Sequence, residues 1–203
     1  MRSVNPGRAI RTAWRALTAA LSTALADEAQ REALGPGVLF GCGVVVRGAD
    51  RISVGAGTFL DTRAYVSASS VNGRRGFVRI GRNCEIGPYS VLWGGGGIEL
   101  GDNVHLGAHV HLTSQQGRPP IAGANPDGSL IVDCAPVRIG DDVLIYSGAI
   151  VVPGVTIGHD SAIGAGAVVT TDIPPYSVAV GVPARVVRTI VPDSVRSYAR
   201  PQP

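Results

Sequence analysis

No run of apolar residues in this chain approaches the about 18 that a membrane-spanning helix needs, so no transmembrane segment is expected. The N-terminus is charged and has neither a continuous apolar stretch nor a small-residue cleavage site, which argues against a secretory leader. Cysteine is scarce: Cys42, Cys84 and Cys134 are odd in number and lack CxxC spacing. That usage reads as free thiols in a reducing compartment, the cytoplasm. Basic residues form no cluster beyond short pairs such as Arg74-Arg75, and the formal net charge is only +3. Nucleic acid is therefore not an expected partner.

What is abundant is glycine, with 28 residues, and proline, with 14. The glycine is periodic and interleaved with valine and isoleucine, which speaks against disorder and for many tight corners. The organising stretch runs from Ile139 to Val169, where an aliphatic residue recurs every sixth position at Ile139, Ile145, Val151, Ile157, Ile163 and Val169. A helix would space apolar residues three or four apart and an ordinary strand would alternate them. A step of six fits hexapeptide repeats, each forming one short side of a parallel β-helix, with roughly 18 residues per three-sided coil.

The same step runs from Leu34 onwards through Leu34, Phe40 and Val46, then Val54, Leu60 and Val66. It continues through Ile80, Ile86 and Leu92, then Leu100, Leu106 and Leu112, which with the organising stretch makes about six coils. Extra residues always enter between the third repeat of one coil and the first of the next, so all insertions should leave from one corner. The longest is loop 113–138; long loops in compact repeats are usually functional.

Residues 1–33 break the repeat, with Ile10, Trp14, Leu17, Leu21 and Leu25 at helical spacing and Gly35-Pro36-Gly37 as a stop. They read as a helix capping the open end of the solenoid, or as a membrane-surface helix given Trp14 and the arginines. The solenoid spans 34–173 and a C-terminal extension 174–203. Pro174-Pro175 lacks two backbone donors and is expected to end the ladder, with the tail packing back as an extended segment plus a short helix.

The run from Pro153-Gly154-Val155-Thr156-Ile157-Gly158 through Pro174-Pro175-Tyr176-Ser177 to Gly181-Val182-Pro183-Ala184-Arg185 resembles the hexapeptide-repeat acyltransferases, in the galactoside and maltose O-acetyltransferase branch. The resemblance covers about residues 34–190. It implies a left-handed β-helix, a homotrimer, acetyl-CoA as acyl donor, and a sugar or polysaccharide-precursor hydroxyl as acceptor. It further implies that a histidine at the trimer interface acts as general base and that the amide of Ser147 faces the acyl oxygen. By the same resemblance Ala165, Thr170 and Thr171 line the pantetheine groove, and Arg185 and Arg188 meet the CoA phosphates. Leu144 and Tyr146 depart from the family's IGDDVWIG signature, so the groove should differ locally.

The base is the largest departure. The family places it near Gly117 or Arg118, and loop 113–138 contains no histidine. A sub-branch carries its histidine in LYGHGGI, where this chain has LWGGGGI with Gly95. Arginine keeps its proton at any working pH and cannot substitute. Of His105, His109, His111 and His159, the candidates are His109 and His111, which precede the long loop; His105 reads as surface and His159 as a turn residue. His109 and His111 would share a side of a strand, but no recognisable ligand spacing accompanies them, so no metal is expected. A catalytically silent trimeric β-helix that binds CoA or sugar is the alternative.

Overall fold

The computed structural model describes residues 34–118 and 131–190. The N-terminal helix read from the sequence, the tip of the long loop and the end of the tail lie outside them. The described chain is a left-handed parallel β-helix with three flat faces. Face I stacks Ile52–Val54, Val78–Ile80, Ile98–Leu100, Val137–Ile139 and Thr156–Ile157. Face II stacks strands from Leu39–Phe40 down to Ser177–Val180, and face III stacks strands from Val45–Arg47 down to Val168–Val169.

The register is that of the six-residue step. On face II, Phe40 pairs with Leu60, Leu60 with Ile86, Ile86 with Leu106, Leu106 with Ile145 and Ile145 with Ile163. Leu60, Ile86, Leu92, Leu112, Ile145, Val151, Ile157 and Ile163 are completely buried. Each is worth about 1.5–3 kcal/mol against exposure, an upper figure for a compact unfolded chain. Polar groups inside the corners are paired between coils: Ser90 Oγ donates to the Gly107 carbonyl at 2.9 Å and accepts from the Val110 amide at 3.0 Å.

The corners from face I to face II and from face II to face III take a left-handed backbone at the third residue after each inward position. Gly57, Asn83, Asn103 and Asp142 supply it between faces I and II, residues that tolerate positive φ at small cost. All insertions leave between faces III and I, as the repeat spacing requires. They include the hairpin Ser70–Val71/Arg74–Arg75 and the hairpin Gln115–Gly117/Val132–Cys134, which touch where Asn72 Nδ2 donates to the Val132 carbonyl at 2.8 Å.

One expectation is corrected. The ladder does not end at Pro174-Pro175: Val178 pairs with Ala162 and Ala179 with Ile163, adding a further parallel strand to face II. The prolines sit in a corner, where no ladder donor is needed, and Pro175 nests against the side-chain-free Gly158. Arg185–Thr189 then pairs antiparallel with Ser177–Val180 and covers that edge. The tail is thus extended through Thr189, and the short helix expected beyond it lies outside the described residues.

Ile145→Ala should destabilise the protein by about 2–5 kcal/mol, whereas Val187→Ala on the exposed tail strand should stay within about 0.5 kcal/mol. Denaturant unfolding of both variants checks the difference. Equal effects would contradict the inward placement of Ile145.

Candidate active site

The corner between faces II and III is built unlike the others. Its left-handed position is held in successive coils by Gly43, Arg63, Tyr89, His109, Gly148 and Gly166. Arg63, Tyr89 and His109 have φ of 55°, 58° and 56°, a conformation that costs a bulky L-residue roughly 1–2 kcal/mol where glycine would be free. The three side chains form a column. The imidazole of His109 stacks on the Tyr89 ring with centroids 5.1 Å apart and planes 9° apart, and the Arg63 guanidinium lies 5.8 Å from the Tyr89 centroid.

Beyond His109 the column stops, because Gly148 and Gly166 carry no side chain; a Cβ on Gly166 would meet nothing within 4 Å. One face of the imidazole is covered and the corner beyond the other is bare. Ser147 and Ala165 border that bare strip, and among the described residues neither amide N–H donates a hydrogen bond. The Ser147 hydroxyl accepts from the Ala108 amide at 3.1 Å, and its carbonyl accepts from the Gly166 amide at 3.0 Å. The Ser147 peptide is therefore fixed while its N–H stays unengaged.

The other candidate residues are distributed around this strip. Ala184 donates its amide to the Val168 carbonyl, which seats the start of strand Arg185–Thr189 at the C-terminal end of the same corner. Arg185 is exposed opposite Val180, and Arg188 lies further along face II opposite Val178. Thr170 and Thr171 are exposed at the next corner, between faces III and I, and so do not join Ser147 within one chain. His111 is half-buried in the middle of face III, paired with Val91 and Ile150; its Nε2 is buried without a partner, and burial pushes its pKa below the ordinary value.

His105 lies 3.5 Å from Glu85 on face II, and His159 Nδ1 is 2.8 Å from its neighbour Asp160 at an ordinary corner. Where the sub-branch histidine would sit, the side-chain carbonyl of Gln115 fills the space that a Cβ on Gly95 would need. No group of three metal-ligating side chains occurs among the described residues.

Two features escape sequence reasoning. The Arg63–Tyr89–His109 column had a signal: each residue stands three after an inward residue, at Leu60, Ile86 and Leu106. The second is an open cleft of about 570 Å³ beside the insertions, lined by residues of four separate stretches, which contribute Arg47, Tyr65, Trp93 and Gln115. No motif joins those residues.

Comparison with known proteins agrees with the β-helical fold. Residues 136–171 match the family described as bacterial transferase hexapeptide (six repeats), and residues 77–114 match the hexapeptide repeat of succinyl-transferase. The galactoside O-acetyltransferase of Escherichia coli K12 is 45% identical over 93 residues, 46% of this chain and 44% of that protein. The match thus spans less than half the length of the curated relatives. A maltose O-acetyltransferase structure from Clostridium difficile 630 is 30% identical, over 81% of this chain and 74% of that one, with a TM-score of 0.55. An N-acyltransferase from Bacillus cereus, in complex with dTDP and 3-hydroxybutyryl-CoA, shares the fold at 22% identity, with a TM-score of 0.71 over 85% of this chain and 92% of that one. This chain belongs to the hexapeptide-repeat acetyltransferases, in the sugar O-acetyltransferase branch.

Burial holds the folded His111 pKa below the 6.5 of a free imidazole, so the unfolded chain binds a proton that the folded chain resists. Stability should therefore fall as pH drops through about 6.5 and below. His111→Gln should flatten that part of the melting-temperature profile. Parallel profiles for wild type and H111Q would contradict the burial of a neutral His111.

Proposed function

We propose that the protein transfers an acetyl group from acetyl-CoA to a sugar or glycan-precursor hydroxyl, with His109 as the general base. The carrying observation is the shared corner: His109 overhangs the side-chain-free strip at Gly148 and Gly166, bordered by the unengaged amides of Ser147 and Ala165. The thioester lies in that strip with its carbonyl oxygen against the Ser147 N–H. His109 takes the proton of the acceptor hydroxyl as its oxygen attacks the thioester carbon. The oxygen gains negative charge, which the Ser147 amide stabilises. The C–S bond then breaks, and the proton passes from His109 to the departing CoA thiolate. Pantetheine runs past Ala165, and Arg185 and Arg188 take the CoA phosphates, an arrangement suited to guanidinium forks.

A homotrimer completes the site. Thr170 and Thr171 lie four and five residues beyond Gly166, roughly 13–17 Å away at strand rise, and so meet the donor from a neighbouring copy. The outer surface of face III suits such a contact: Val45 and Ile150 are exposed there, while face I carries the ion ladder Arg79–Glu99–Arg138. Free acetyl-CoA makes the cytoplasm the place of work. The alternative is a silent binding protein. It is favoured by the absence, among the described residues, of an orienting carboxylate at His109, whose ring contact there is the stack on Tyr89.

In an assay of CoA thiol release, His109→Ala should lower kcat by about 10²–10⁴-fold, while His111→Gln should retain turnover. Gly107→Ala sets a Cβ 2.7 Å from the Ser147 nitrogen, and by displacing that amide should lower kcat by about 10²-fold or more. Turnover unaffected by His109→Ala would remove His109 as base. CoA binding without turnover on any sugar would favour the silent reading.

A further inference from the structure

The cleft beside the insertions is chemically unlike the donor corner. Its about 570 Å³ lies within the about 300–1,000 Å³ typical of small-molecule sites. Two elements wall it, the hairpin that follows strand Tyr65–Ser67 and the base of the long loop, tied together by the bond from Asn72 to Val132. Two aromatic residues, Tyr65 and Trp93, lie on the face III side. The Trp93 side chain is 42% exposed, leaving an apolar indole surface on which a flat ring can rest.

Two buried polar atoms around this cleft have no partner, Ser69 Oγ and Gln115 Oε1, while Arg51 Nε has only its ion pair with Asp50 at 3.5 Å. The two are a hydroxyl able to act in both senses and an acceptor, the complement of a hydroxylated ligand. Buried polar groups are nearly always paired, so two orphans around one cleft point to a ligand that pairs them.

The charge of the cleft is one-sided. Arg47 and Arg51 line it and no carboxylate does. Arg51 is held by Ser70 at 2.9 Å and lies 3.5 Å from Asp50, which it shares with Arg75 at 3.9 Å. The Arg47 guanidinium has no ion pair or hydrogen bond among the described residues. Two guanidinium groups, those of Arg51 and Arg75, thus share one carboxylate, and the unpaired one of Arg47 stands at the cleft wall. A guanidinium fork of this kind matches a carboxylate or a phosphate in two-point contact.

We infer that the cleft binds a sugar bearing an anionic substituent, its ring on Trp93, its hydroxyls on Ser69 and Gln115, and its carboxylate or phosphate on Arg47. The inference rests on the proposed acyl transfer only in making this sugar the acceptor. Across the trimer contact, the cleft of one copy presents the sugar hydroxyl to the donor corner of the next.

Isothermal titration calorimetry of the full chain, without any acyl donor, tests the binding apart from the chemistry. Glucuronate and glucose 1-phosphate should each bind at least about tenfold more tightly than glucose, and the tighter of the two identifies the anion. Arg47→Gln should bring both down to the level of glucose without changing CoA affinity. Because Arg47 is exposed and unpaired, this variant should melt like wild type. Equal affinities for the three sugars, no sugar binding at all, or affinities untouched by Arg47→Gln would overturn the assignment. Anionic sugars that bind but are never acylated would refute the acyl-transfer reading and leave this one standing. Turnover confined to neutral sugars would do the reverse.

Discussion

The structure depends on one constraint: an aliphatic side chain must point inward at every sixth residue, and the chain must turn a left-handed corner between one such residue and the next. Burial of the column drives the fold, since coils stack through it and no coil could bury its own share alone. The corners then fix everything outside. Once Leu106 points in, His109 must occupy a corner, and once Ile145 points in, Ser147 must border the same corner one coil on. Functional geometry follows from register.

That dependence explains what the sequence made legible. The inward residues, the three faces and the common exit of the insertions follow from counting in sixes, and the strand pairings agree at each step. The counting failed at Pro174-Pro175 because it treated proline as a ladder breaker without asking whether those positions lay in a strand or a corner. They lie in a corner, where Gly158 leaves room for Pro175, and the step of six resumes from Ile173 to Ala179. The candidate site divided along the same line. Ser147 and Ala165 share a corner because they occupy equivalent places in successive repeats, which counting reveals. The cleft residues Arg47, Trp93 and Gln115 come from different coils and from an insertion with no period, so only the folded chain brings them together.

Conformation also separates the two histidines in a way that residue type could not. His109 holds a left-handed backbone where glycine serves in the next two coils, and its ring is exposed on a Tyr89 platform. His111, two residues away, lies flat in a strand between aliphatic neighbours, with a ring nitrogen shut off from solvent. An imidazole must meet its substrate to move a proton, and the exposed one borders the unengaged amides. His111 fits a packing role on face III.

In the proposed assembly the donor corner and the acceptor cleft of each site come from different copies of the chain. Mixed oligomers test this most directly. His109→Ala has an intact cleft and a disabled corner, whereas Arg47→Gln combined with Trp93→Ala has the converse. Co-expressed and purified together, the two should turn over acetyl-CoA well above either variant alone, because some interfaces unite an intact corner with an intact cleft. Activity no greater than that of the separate parents would contradict a site shared between copies.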